Sequence, residues 1–211
     1  MKNPLKTIET PYIDAQTLLT IFSNYQKPRE CIFRLVKNEE LIRLKNGFYL
    51  IADKIKFGTN TIIPYEQIAN LLYGPSYISL EWALSFYGMI PERVHTVTSM
   101  TLGRNKRFET AIGEFTYARL PAKRYSVGIT QKNAENFIGR FFIATPEKAL
   151  ADLVFVRCKD LKKDQLEKEL IESKRMDREI LQQLDKNLLK EIADSYRNKK
   201  VNDLVDLIGG L

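Results

Sequence analysis

Arg34 and Lys37 in the stretch PRECIFRLVK, and Arg43 and Lys45 in the LIRLK that follows, set cations close together on two different local patterns. The chemistry open to such a set is polyanion recognition. Ammonium and guanidinium groups neutralise phosphates, and a guanidinium also offers two parallel N–H donors to the edge of a guanine. Whether these side chains act together depends on the elements that carry them. Pro28 suits a first helical position, because its missing amide hydrogen would have no intrahelical partner there. Steps of about 100° then put Pro28, Ile32, Leu35 and Val36 on one face and Glu30, Phe33, Arg34 and Lys37 on the other. One face packs; the other faces out with net positive charge. Next, an apolar-rich run from Glu40 to Lys45 meets Asn46-Gly47 and is answered by Phe48-Tyr49-Leu50-Ile51. Asn-Gly is the strongest short hairpin signal, since both central residues of a type I′ turn need positive φ. The predicted register pairs Leu44 with Tyr49 and Ile42 with Ile51 on one face, and leaves Arg43 and Lys45 on the other beside Leu50 and Phe48. A basic helix beside a basic hairpin fits a duplex groove. The competing reading has these helices in an ordinary αβ core, with Arg34 and Lys37 as solvated surface.

The flanking residues supply the rest of a helix-turn-helix order. Asp14 reads as an N-cap, and AQTLLTIF after it places Leu18, Leu19 and Phe22 at helical spacing, with Asn24 and Gln26-Lys27 as the turn before Pro28. Residues Met1 to Thr10 fit either a short helix or a loose arm. The stretch from Asp53 to Ile63 carries little periodicity and reads as a connection between domains.

The chain has 211 residues, a hydrophobic fraction of 44% and a formal charge of +7. That is enough material for a proper core, and a basic balance makes a polyanionic partner plausible without requiring one. There is no apolar run of about 18 residues and no charged-then-apolar leader, so neither a membrane span nor a secretory signal is indicated, and a cytoplasmic location is expected. Cys31 and Cys158 belong to no CxxC or Cys/His cluster and read as reduced, packed thiols.

Beyond the connection, Tyr65 to Tyr73 has helical spacing through Ile68, Leu71 and Leu72 and stops at Gly74-Pro75; Ser79 caps a helix from Leu80 to Tyr87, ended by Gly88. Val94 to Thr101, Gly113 to Leu120 and Arg140 to Ala144 read as strands. Between the first two, the basic turn around Arg104, Lys106 and Arg107 is a candidate contact for phosphate or an acidic partner, against the plainer reading of a solvated loop. Thr145-Pro146-Glu147 opens another helix with the buried stripe Ala149, Leu150, Leu153 and Val154. From Lys159 the chain is charged and helical, with apolar stripes through Leu166 and Leu170, Leu184 to Tyr196, and Val201 to Ile208.

No catalytic, cofactor or metal assignment follows from the residues. His95 is the only histidine, expected within the strand VHTVTSM without a partner, and no glycine-rich nucleotide loop follows a strand. Glu81, Glu109, Glu114 and Glu147 could assemble around a divalent ion, though spacing alone does not bring them together. Trp82, Phe86 and Tyr87 on one helix are read as core.

Taken together, LIRLKNGFYLI, YGPSYISLEWALSFYGMIPE with VHTVTSMT after it, and ATPEKALADLV resemble the AbiEi antitoxins of bacterial type IV (abortive infection) toxin-antitoxin systems and their transcriptional-regulator relatives. The likeness covers roughly residues 12 to 157. It implies an N-terminal winged helix that represses the antitoxin-toxin operon at inverted repeats, where two copies bind as a dimer or assemble as monomers. It also implies a larger C-terminal domain carrying the antitoxic activity. The implied toxin is a nucleotidyltransferase-like protein, countered without a stable complex. By position, Arg29, Arg34 and Lys37 would lie on or beside the groove-facing helix surface, and Arg43 and Lys45 on the wing.

The expected fold is therefore α+β: a winged helix-turn-helix over residues 1–55, then a mixed α/β domain over 62–211 whose last part, about 159–211, is a helical bundle. The expected function is that of a DNA-binding autorepressor and antitoxin with no cofactor. Two alternatives stand beside it. One is a stand-alone winged-helix regulator without a toxin; the other is a metal-dependent nuclease using acids such as Glu109 and Glu114.

Overall fold

Asp14 sets the start of the N-terminal unit. The computed structural model describes residues 4–57 and 60–211. In it, a 3₁₀ turn at Pro4–Thr7 buries Leu5 and leads to β1 (Tyr12–Asp14). The Asp14 carboxylate then accepts from the Thr17 amide at 2.9 Å and from its hydroxyl at 2.7 Å, which caps α1 (Ala15–Ile21). That satisfies amides with no intrahelical partner and holds the Asp14 carboxyl below its usual pKa. The next helix, α2 (Pro28–Lys37), has Pro28 in its first turn. A ribbon of β2 (Leu41–Lys45) and β3 (Phe48–Ile51) follows, closed at Gly47 with φ +75°. β1 was not anticipated. It pairs antiparallel with β3, giving the sheet order β1-β3-β2.

The ribbon's register differs from the predicted one. Lys45 pairs with Phe48 next to the turn, but beyond a bulge at Leu44 the partners are Arg43 with Tyr49, Ile42 with Leu50 and Leu41 with Ile51. One extra residue in β2 shifts every later pair by one and moves each side chain to the opposite face. The ribbon thereby serves two cores. Leu41 and Ile51 pack with Leu18, Phe22 and Ile32 of the helices, whereas Leu44, Phe48 and Leu50 join the larger cluster of the second unit.

The connection at 53–63 is itself structured: a single turn α3 (Ala52–Ile55), which buries Ile55, then the two-residue strands β4 (Lys56–Phe57) and β5 (Asn60–Thr61). The second unit proceeds through α4 (Tyr65–Leu72), β6 (Ser76–Ile78), α5 (Leu80–Phe86), β7 (Val97–Thr101), β8 (Lys106–Thr110), β9 (Gly113–Arg119), β10 (Ile129–Asn133) and β11 (Arg140–Ala144). Its six strands run β10-β11-β6-β7-β9-β8. β11 with β6 and β7 with β9 are parallel, and the other neighbours are antiparallel. His95, expected in a strand, lies exposed in the loop before β7.

α6 (Pro146–Arg157) is the central helix, capped by Thr145, whose hydroxyl accepts from the Lys148 amide at 3.3 Å. Every side chain from Glu147 to Val154 is buried, as befits a helix covered on all sides. It packs against α5 and β11 on one side and against the C-terminal helices on the other. Those are α7 (Lys163–Lys168), extended by a π turn to Ser173, α8 (Arg178–Gln182), α9 (Lys186–Tyr196) and α10 (Lys199–Gly210). Leu166, Leu189, Ile192, Val201 and Leu204 share one core with the sheet, so the helical end is a layer of the α+β unit. Among the described residues, no helix is long and apolar enough to cross a membrane.

Candidate nucleic-acid interface

The polar face of α2 is uncovered. Arg29, Phe33, Arg34 and Lys37 are exposed, and Phe33 keeps 69% of its surface in solvent. Cys31 and Ile32 anchor the opposite face, which fixes the direction in which the cations project. Glu30, the acid of this surface, is paired with Lys27 at 2.8 Å, so its charge opposes the neighbouring arginines less. Arg29, Ile32, Phe33 and Val36 of α2 form one wall of a groove of about 450 Å³, and Arg43 and Tyr49 of the ribbon form the other. Arg43 is exposed and donates to the Asn46 side chain at the ribbon's tip. The structure thus brings Arg29 and Arg43 to one groove, with Arg34 and Lys37 farther round the same helix.

Lys45 departs from the expectation. The hairpin register predicts it beside Arg43 on the wing, but the bulge at Leu44 separates the two, and the Lys45 ammonium donates to the Leu72 carbonyl at the end of α4 at 2.5 Å. Burial there lowers its pKa. The ribbon is packed against the second unit along this face, and only its Arg43 side adjoins α2.

The basic turn divides similarly. Arg104 and Lys106 are exposed, with Lys106 5.7 Å from the Phe108 ring centre. Arg107 is committed to Glu109 at 3.0 Å and Glu114 at 2.9 Å. The segment is in part the strand β8, which lies beside β2. Lys106 therefore sits on the same side of the molecule as the ribbon. Glu109 and Glu114, the acids named for the nuclease alternative, face each other across β8 and β9 with the Arg107 guanidinium between them. Glu81 bonds Arg157 at 3.1 Å, and Glu147 accepts from the Asp185 amide at 3.0 Å near the start of α9. Among the described residues, no three His, Cys, Asp or Glu side chains converge.

Sequence reasoning missed a second polar centre, inside the larger core. The Asp152 carboxylate accepts from Tyr77 at 2.9 Å, from Ser79 at 2.6 Å and from Tyr196. The Lys148 ammonium lies 3.8 Å away and donates to Tyr196 at 2.9 Å and to the Arg124 carbonyl at 2.5 Å. Burial pulls Lys148 down to about 8 although Asp152 opposes the shift, and burial likewise raises Asp152. Both side chains are inaccessible, so the network joins β6, α6 and α9 and is closed to substrate. It also redirects Ser79, which sits at the N-cap of α5 but gives its hydroxyl to Asp152. Thr98 takes over the capping, accepting from the Trp82 amide at 3.1 Å. The available signal was a Lys and an Asp four residues apart in the otherwise apolar run KALADLVFV of α6.

No protein-family model matches the chain, and no curated protein matches it.

Proposed function

We propose that the chain is a DNA-binding autorepressor and antitoxin of the type IV toxin-antitoxin kind, acting through the exposed face of α2. The order helix, turn, helix, ribbon fits a winged helix-turn-helix in which α1 supports and α2 enters the major groove. One observation carries the reading. A helix anchored by Cys31 and Ile32 presents Arg29, Arg34 and Lys37 uncovered, with Arg43 on the adjoining ribbon. Phosphate neutralisation supplies most of the affinity, and a few base contacts supply the selectivity. The ribbon contributes through Arg43. Two copies bind an inverted repeat in the promoter of the chain's own operon, in the cytoplasm. The antitoxic role rests on the likeness to the AbiEi antitoxins and is opposed to a nucleotidyltransferase-like toxin without a stable complex.

The test has two arms. In a gel-shift titration with the DNA upstream of its own gene, the protein binds that duplex over random duplex, and Arg34→Ala and Lys37→Ala each weaken binding. Unchanged binding for Arg34→Ala and Lys37→Ala rejects the helix assignment. Co-expression with the adjacent gene, scored for growth, tests the antitoxin arm; toxicity that the chain fails to relieve leaves a regulator alone.

A further inference from the structure

Phe33 does little for the fold. It keeps 69% of its surface in solvent, the highest value for a large apolar side chain among the described residues, and it belongs to neither hydrophobic cluster. It occupies the sixth of ten positions in α2. An alanine there would serve the helix better, because an aromatic side chain loses rotamer freedom against the preceding turn.

The ring stands within a cationic stripe. Arg29 and Lys37 lie four residues before and after it on the same face of α2, each about 6 Å from it along the helix axis. Arg34 is exposed beside it, and Arg43 lines the same groove from the ribbon, while Glu30 is paired with Lys27 at 2.8 Å. That groove also carries Ile32 and Val36, so the ring extends an apolar strip. Four cations around one exposed ring match the charge of a polyanion. An intact duplex meets such cations with its phosphates, and the apolar group it presents in the major groove is the 5-methyl of thymine.

We propose that Phe33 selects thymine: with α2 in the major groove, its ring packs on a thymine 5-methyl while Arg29 and Lys37 hold phosphates on either side. This rests on the DNA-binding function proposed above and deepens it, by naming the base that the apolar part of α2 recognises. The cations supply affinity without regard to sequence, whereas the ring distinguishes a base by the presence of its methyl. Burying one methyl is worth about 4-fold in affinity, so two copies on an inverted repeat gain about 15-fold.

The probes are two versions of the duplex upstream of the chain's own gene, one carrying thymine and one carrying uracil throughout. They differ only in the methyls, with phosphate charge and hydrogen-bonding edges unchanged. Fluorescence anisotropy on the full-length chain reads affinity, and sedimentation without DNA reads self-association. The wild type binds the thymine duplex at least about 4-fold tighter than the uracil duplex, and about 15-fold tighter when two copies are bound. Phe33→Ala binds the two duplexes alike, keeps the wild-type salt slope, and melts at the wild-type temperature because the position is exposed. Phe33→Leu, which keeps an apolar side chain, retains part of the preference. Equal wild-type affinity for both duplexes, with either bound over random duplex, overturns the inference and leaves the DNA-binding function standing. A thymine preference that persists at full size in Phe33→Ala belongs to other residues or to duplex shape, and overturns it as well. So does a loss of self-association in Phe33→Ala without coupling to the methyls, which makes the ring a contact between copies. Failure to bind either duplex removes both this inference and the function it rests on.

Discussion

On the DNA-binding function proposed above, the salt dependence of binding separates the exposed cations from the packed one. Arg29, Arg34, Lys37 and Arg43 lie in solvent on α2 and the adjoining side of the ribbon, whereas the Lys45 ammonium is engaged by the Leu72 carbonyl. Each cation that meets a phosphate contributes about −0.9 to the slope of log K against log salt, so these side chains give about −3.6 per copy and about −7 for two copies. Raising salt from about 50 to about 200 mM then weakens binding about 150-fold per copy. Arg34→Ala or Arg43→Ala makes the per-copy slope shallower by about 0.9. Lys45→Ala leaves the slope where it was and instead costs about 1 kcal/mol of folding stability, the worth of one hydrogen bond. Fluorescence anisotropy of a labelled promoter duplex at several salt concentrations measures the slopes, and urea unfolding measures the stability. A Lys45→Ala slope change equal to that of Arg34→Ala would refute the placement of Lys45, because it would mean that the ribbon leaves the second unit to reach phosphate.

Two further outcomes concern stability. Lys148→Met keeps the aliphatic stem and removes the buried ammonium. With Lys148 held at about 8 against an unfolded value of 10.5, the unfolded state binds more protons between these values, so this group's contribution to stability rises with pH. The wild type therefore gains about 2 kcal/mol relative to Lys148→Met between about pH 7 and about pH 9.5; the difference between the two proteins is needed because tyrosines and Cys158, whose pKa values are raised, pull the other way in both. Parallel pH dependences in urea titrations would contradict a buried, depressed lysine. Asp14→Ala, which removes the cap of α1, costs about 1 kcal/mol and, through α1, loosens the support of α2; an unchanged melting temperature would count against that cap.

What the sequence conveyed, and what it did not, follows from where each element's information resides. Asp14, Asn46-Gly47, Gly74-Pro75 and Thr145-Pro146 act through their own backbone or nearest amides, and each sits at the boundary expected for it. β8 (KRFET) and β10 (ITQKN) went unseen because they are the two edges of the six-stranded sheet, where polar side chains protect an open strand and make it read as loop. β6 (SYI) lies inside the sheet and is buried on both faces, so it shows no alternation. For the candidate interface, the exposed face of α2 was legible from helical spacing. The fate of Lys45 was not, because the bulge at Leu44 arises where the ribbon must match the second unit, and no local spacing encodes that. The Lys148–Asp152 network was hidden for a related reason: its remaining partners, Tyr77, Ser79 and Tyr196, are far apart in the chain.

The double use of the ribbon bears on whether the N-terminal unit stands alone. Its own core consists of Leu5, Ile13, Leu18, Phe22, Cys31, Ile32, Leu41 and Ile51, a small set for a unit of this length. The opposite face of the ribbon buries Leu44, Phe48 and Leu50 against the second unit, at 5%, 7% and 0% exposure. Returning those three side chains to water costs about 1.5–3 kcal/mol each, about 4–9 kcal/mol in all, which is comparable to the entire stability of a small domain. Residues 1–57 expressed alone should therefore be largely unfolded or self-associated, with collapsed amide dispersion in a heteronuclear NMR spectrum. A well-dispersed, monomeric spectrum would show that the smaller cluster suffices. In the full chain the same contact ties the ribbon, and with it the groove wall formed by Arg43 and Tyr49 beside α2, to the second unit.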